Sequence, residues 1–161
     1  LPSERSCGAV VFTRDGELKY LLLHYEAGHW DFVKGHIEGS ESELQTLRRE
    51  IQEETGLNDV KLIEGFRERI SYFYQRKGRT VFKEVIFYLV ESPTETVKIS
   101  SEHVGYDWLS YEDAQRRLTY HNAKDILKKA NSFLMGVQFG LKQPQISSSQ
   151  QSSKASIPRA P

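Results

Sequence analysis

Between Gly35 and Leu57 the chain reads GHIEGSESELQTLRREIQEETGL, a stretch carrying six glutamates. Its punctuation permits little except one helix with defined ends. Ser40, with Glu43 three residues on, has the form of a capping box, and Gly56 offers a left-handed position directly after Thr55. The spacing therefore predicts a helix from Glu41 to Thr55. Leu44, Leu47, Ile51 and Thr55 recur at helical intervals and are read as its core-facing stripe. Glu50, Glu53 and Glu54, at i, i+3 and i+4, share the neighbouring arc.

Helix formation does not ask for that arc. Each like-charge pair at this spacing costs roughly 0.2–0.5 kcal/mol, and carboxylates near a helix C-terminus oppose its dipole. For a bare EIQEE the commoner explanation is a solvated face neutralised by Arg48 and Arg49. The functional alternative is a hard divalent cation, since clustered carboxylate oxygens are what Mg²⁺ uses between a protein and substrate phosphates. The whole stretch decides between the two. Gly35, Glu41, Arg49, Glu50, Ile51, Glu53, Glu54, Gly56 and Leu57 match G-x5-E-x7-R-E-U-x-E-E-x-G-U, with U a bulky aliphatic residue. At average residue usage such a match arises by chance with a probability on the order of 10⁻⁷. This pattern is the Nudix box, and the chain resembles the Nudix hydrolases from about Arg5 to Leu141.

The resemblance implies an α/β fold, a mixed β-sheet sandwiched between helices, with the box as a loop-helix-loop catalytic motif. It implies hydrolysis of a nucleoside diphosphate linked to another group, dependent on Mg²⁺ with Mn²⁺ as the alternative. Carried onto these residues, Glu50, Glu53, Glu54 and the backbone carbonyl of Lys34 become metal ligands. Arg49 holds a carboxylate in place through a forked pair, and Glu41 stabilises the loop. Such chemistry needs metal because a pyrophosphate's anionic oxygens repel a nucleophile.

Residues outside the box bear on the substrate. The segment HWDFVKGHIE resembles the one preceding the box in asymmetric diadenosine tetraphosphate hydrolases, although the prolines many animal and plant relatives carry before KG are replaced. In that likeness Lys34, His36 and Lys83 contact phosphate, and Tyr72, Tyr74 and Tyr120 are candidates to stack on adenine. Glu102 is a fourth carboxylate, and the general base stays open between Glu53, Glu54 and Glu102. His24 and His103 are read as ordinary histidines with no ligand. The expected reaction converts diadenosine tetraphosphate to AMP and ATP. A 5′ RNA or nucleoside triphosphate pyrophosphohydrolase is the alternative, and a non-catalytic nucleotide-binding module comes third.

The remaining chain supplies a frame. Arg5–Arg14 and the run from Leu18 form a hairpin around DGE, and two longer β-rich runs flank RKGR. A last strand begins near Val104, and helical periodicity follows, with Ile126, Leu127, Ala130, Phe133, Leu134 and Val137 on one side. Residues 1–141 are read as one Nudix domain, and the Ser, Gln and Pro composition of residues 142–161 as a disordered tail, native or appended for expression. Lys+Arg and Asp+Glu balance at 22 each, so no overall field recruits nucleic acid or an anionic membrane. A single Cys7 and the lack of a leader-like run point to a cytoplasmic monomer whose partner is its nucleotide.

Overall fold

The run SCGAVVFT shows no polar alternation because it is buried on both faces. In this computed structural model, which describes residues 1–138, it belongs to β1 (Ser3–Thr13), covered from Ser6 to Thr13. Around it lie β2 (Lys19–Tyr25), β3 (Trp30–Asp31), β4 (Val33–His36), α1 (Glu43–Thr55), β5 (Lys61–Arg76) and β6 (Arg79–Glu91). β7 (His103–Leu109), α2 (Tyr111–Arg117) and α3 (His121–Gln138) complete the described chain.

One edge of β1 pairs in parallel with β6 from Ser3 to Phe12, and β5 joins β6 antiparallel through the expected hairpin. The other edge is shared. β4 pairs with Ser6–Ala9, and β2 takes over at Phe12 and Thr13, both antiparallel. β2 in turn carries β3 and β7, giving a seven-stranded mixed sheet. The division of that edge matters because β4 leaves it directly into the loop that starts α1.

Strand alternation sends β1 side chains to two cores. Val10 and Phe12, with Val85, Phe87 and Leu89 of β6, pack under Leu118, Ile126, Leu127 and Leu134. Cys7, Ala9 and Val11, with Leu21, Leu23 and Ile86, pack under Leu47 and Ile51 of α1. Helices thus cover both faces, as the fold class required.

Two expectations about α1 need correction. The helix begins at Glu43, capped by Ser42, with Gln45 completing the reciprocal box; Ser40 and Glu43 do not form it. Glu43 is engaged elsewhere: its carboxylate accepts Arg67 at 3.0 and 2.8 Å and the Tyr88 hydroxyl at 2.6 Å, which ties the first turn to the sheet. Leu44 is 40% exposed and does not belong to the core stripe, whose members are Thr46, Leu47, Glu50, Ile51, Glu54 and Thr55. The other end is as read, with Gly56 at φ 73° donating its N–H to Gln52.

The domain end at Leu141, the tail from Lys142 to Pro161 and the burial of Val137 lie outside the described residues. Among those described, no helix is long and apolar enough to cross a membrane.

Candidate active site

Arg49 organises the box. Its Nε and Nη2 grip both oxygens of Glu41 at 2.7 and 2.9 Å, while Nη1 donates to Glu50 at 2.7 Å and reaches Glu53 at 3.4 Å. Nη2 also donates to the backbone carbonyl of His36 at 3.0 Å, so one guanidinium joins the loop to the helix. The pairing with Arg49, helped by the Glu38 N–H and the Thr46 hydroxyl, holds Glu41 down to about 2. Glu41 is therefore a loop anchor, in keeping with the role read for it.

The three box glutamates do not share one environment. Glu50 and Glu54 are buried at 8% and 6% exposure, whereas Glu53 stands more than half exposed. Glu50 lies over Gly35, where a Cβ would collide with its carboxyl group, so the bare glycine makes room for that carboxyl to lie against β4. Burial raises Glu50 above the ordinary carboxylate range against the opposing pull of Arg49. Burial, then the neighbouring Glu50 carboxylate, pushes Glu54 up to about 9. Glu54 Oε1 has no hydrogen-bond partner among the described residues, and it looks across 3.9 Å at the equally unpartnered Nε2 of buried His103.

Two buried carboxyls with an orphaned oxygen form a donor set suited to a hard cation. Among the described residues no three His, Cys, Asp or Glu groups already stand as a ligating array. Arg49 engages Glu50, and Glu53 points to solvent. Exposed Glu102 lies near enough to act on Glu54.

On the other side of β4 a cleft of about 560 Å³ opens, lined by Lys34, Lys83, Tyr72, Tyr74, Tyr120 and Asn122 among others. Lys34 pairs with buried Asp31 at 3.0 Å; burial alone would lower its pKa, but Asp31 overrides this and the net shift is upward. Lys83 is 7% exposed and its pKa is lowered, by burial first and against the pull of Glu4. His36 is not a lining residue, but its Nε2 lies 3.4 Å from Lys83 Nζ. Tyr72 and Tyr74 project from β5 with ring centroids 6.4 Å apart, and half-exposed Tyr120 belongs to the opposite wall beside His29.

Three side chains at these sites escaped the sequence reading. His103, expected as an ordinary histidine with no ligand, is buried against Glu54, and nothing local in the sequence marks that meeting. Asp31 and Glu4 are the carboxylate partners of Lys34 and Lys83. Asp31 precedes Lys34 by three residues, so a search for charge pairs could have found it. Glu4 reaches Lys83 only through the parallel β1–β6 register. His24 stacks at 4.4 Å on Trp30, over whose ring Arg117 lies at 4.7 Å.

A mixed sheet between helices, with a glutamate-bearing helix set against a glycine of the preceding strand, is the architecture the box demands. The model of the NUDIX domain matches residues 2–130, and the chain belongs to the Nudix family of pyrophosphohydrolases. It is 36% identical over 144 residues to the Sus scrofa protein named asymmetrical bis(5′-nucleosyl)-tetraphosphatase, covering 81% of this chain and 95% of that protein. The Caenorhabditis elegans protein of the same name is 30% identical over 136 residues, covering 82% and 97%. Among solved structures, a C. elegans Ap4A hydrolase binary complex superposes with a TM-score of 0.73 at 29% identity, covering 83% of this chain and 98% of that one.

Proposed function

We propose that this chain hydrolyses dinucleoside polyphosphates, taking diadenosine tetraphosphate to AMP and ATP by attack of water on phosphorus. The observation that carries this reading is the placement of Lys34. Its side chain lines the aromatic cleft, while its neighbour Gly35 lies directly under the Glu50 carboxyl. Cleft and carboxylates therefore meet at one strand, which suits a substrate with one nucleoside in the cleft and its phosphate chain running on toward the carboxylates. The names of the full-length relatives agree with it.

In this reading Glu50, Glu53, Glu54 and the Lys34 carbonyl hold Mg²⁺ or Mn²⁺, and the burial of two of these carboxyls beside an orphaned oxygen is consistent with that role. When bound, the metal neutralises phosphate oxygens and makes a water nucleophilic. Arg49 keeps Glu41 and Glu50 oriented, so the ligands are ordered before substrate arrives. Lys34, Lys83 and His36 bind the phosphate chain, and Tyr72 and Tyr120 hold a base between the cleft walls. The attacking water gives its proton to one of Glu53, Glu54 and Glu102.

Incubation with diadenosine tetraphosphate, triphosphorylated RNA and nucleoside triphosphates, followed by anion-exchange product analysis, tests the reading. Equal amounts of AMP and ATP from the first are expected. Cleavage of RNA or nucleoside triphosphates with the dinucleotide left intact would overturn it.

A further inference from the structure

We propose that Glu4 is a positioning residue of the nucleotide cleft, fixing Tyr74 and Lys83 and so setting nucleotide affinity rather than turnover. The inference rests on the functional reading above and adds a residue outside the box.

Three adjacent strands create the arrangement. Glu4 is in register with Lys83 across the parallel β1–β6 pair, and Lys83 with Tyr72 across β6–β5; Tyr74, two residues further along β5, falls on the same face. The Glu4 carboxylate, only 10% exposed, accepts the Tyr74 hydroxyl at 2.6 Å and pairs with Arg76 at 2.5 Å. Lys83 is held more loosely, at 3.5 Å. The carboxylate charge is thus met mainly by Arg76 and the phenol, which leaves the Lys83 ammonium oriented but able to yield to phosphate oxygens. The Tyr74 hydroxyl is committed to Glu4, so its ring is held in place in the cleft lining beside Tyr72. Glu4 itself lines neither the cleft nor the box, which separates its effect from the chemical step.

A double-mutant cycle on KM and kcat tests this, with circular dichroism confirming the fold of each variant. Glu4→Ala and Tyr74→Phe should each raise KM about fivefold with kcat within about twofold, and the double variant should be no worse than either alone. Glu4→Gln keeps an acceptor at the same reach and should return KM close to wild type. Additive effects, or an unchanged KM in folded Glu4→Ala, overturn the proposal. So does a KM that falls in both Glu4→Ala and Glu4→Gln, which would show that the carboxylate acts by repelling phosphate and not by holding Tyr74. If the wild type turns over a different nucleotide, the dinucleotide reading fails alone, and the same cycle on that nucleotide still decides the role of Glu4.

Discussion

Glu54 Oε1 and His103 Nε2 face each other across 3.9 Å, both buried and neither hydrogen-bonded to any described residue. A desolvated polar group without a partner costs about 1–3 kcal/mol, and the adjoining Glu50 carboxylate adds repulsion. A cation bound at Glu54 would remove this cost.

Millimolar Mg²⁺ should therefore raise the melting temperature of the wild type by about 3–6 °C, the response to roughly 1.5 kcal/mol of ligand stabilisation in a chain of this size. Glu54→Gln should melt at or above the metal-free wild type and lose the response. Differential scanning fluorimetry with and without EDTA reads both; a full Mg²⁺ response in Glu54→Gln would remove Glu54 from the ligand set.

Glu53→Gln should leave the melting temperature unchanged, because the side chain is more than half exposed and, among the described residues, its one ion pair is with Arg49 at 3.4 Å. Turnover at saturating Mg²⁺ should fall by roughly 10²–10⁴-fold, as the amide lacks the charge a metal requires and accepts no proton. A variant keeping half of wild-type turnover would show that Glu53 is not a ligand.

At Gly35 the test is steric. Alanine puts a Cβ into the space of the Glu50 carboxyl group, which must then leave its seat over β4. Overpacking of this kind costs about 1–3 kcal/mol, and a displacement near 1 Å at a catalytic group costs up to roughly 10²-fold in rate. Gly35→Ala should lose both stability and turnover, read by urea unfolding and initial rates; a normal variant would mean that Glu50 moves without consequence.

Glu43 gives a pH signature away from the Glu50, Glu53 and Glu54 cluster. Arg67, opposed by burial and helped by the Tyr88 hydroxyl, holds it down to about 2 from an ordinary value of 4.5. A depressed carboxyl stabilises the fold fully above the unfolded value and loses that contribution as pH falls from 4.5 toward 2. Glu43→Gln should cost about 1 kcal/mol at pH 7, after allowance for screening at half-exposed Arg5 and Arg67. The gap from wild type should close as pH drops through that window. Melts between pH 3 and 7 check it, and a gap that widens on acidification would refute the assignment.

Tyr120→Ala should raise KM for diadenosine tetraphosphate about tenfold or more with kcat little changed, since stacking on one base is worth about 1–3 kcal/mol and acts far from the reacting phosphorus. Steady-state kinetics on the folded variant decide this. An unchanged KM would place the base elsewhere in the cleft.

The sequence by itself determined what depends on neighbours within a turn or a strand. The helix end at Thr55 and Gly56, the hairpins around DGE and RKGR, and the shared face of Tyr72 and Tyr74 all follow from short-range spacing, which the backbone obeys wherever it lies. The box likewise announced its family, because its residues act together within one loop and one helix. Tertiary structure alone decided the rest. It moved the N-cap from Ser40 to Ser42 by giving Glu43 to Arg67 and Tyr88. It buried Glu50 and Glu54 while exposing Glu53, since α1 packs through one flank onto Gly35 and β4. It also brought His103 to Glu54 and Glu4 to Lys83, across 49 and 79 positions of chain. Sheet register makes those meetings, and register is set by the burial of whole strands, a sum over the fold that leaves no mark on the few residues it brings together.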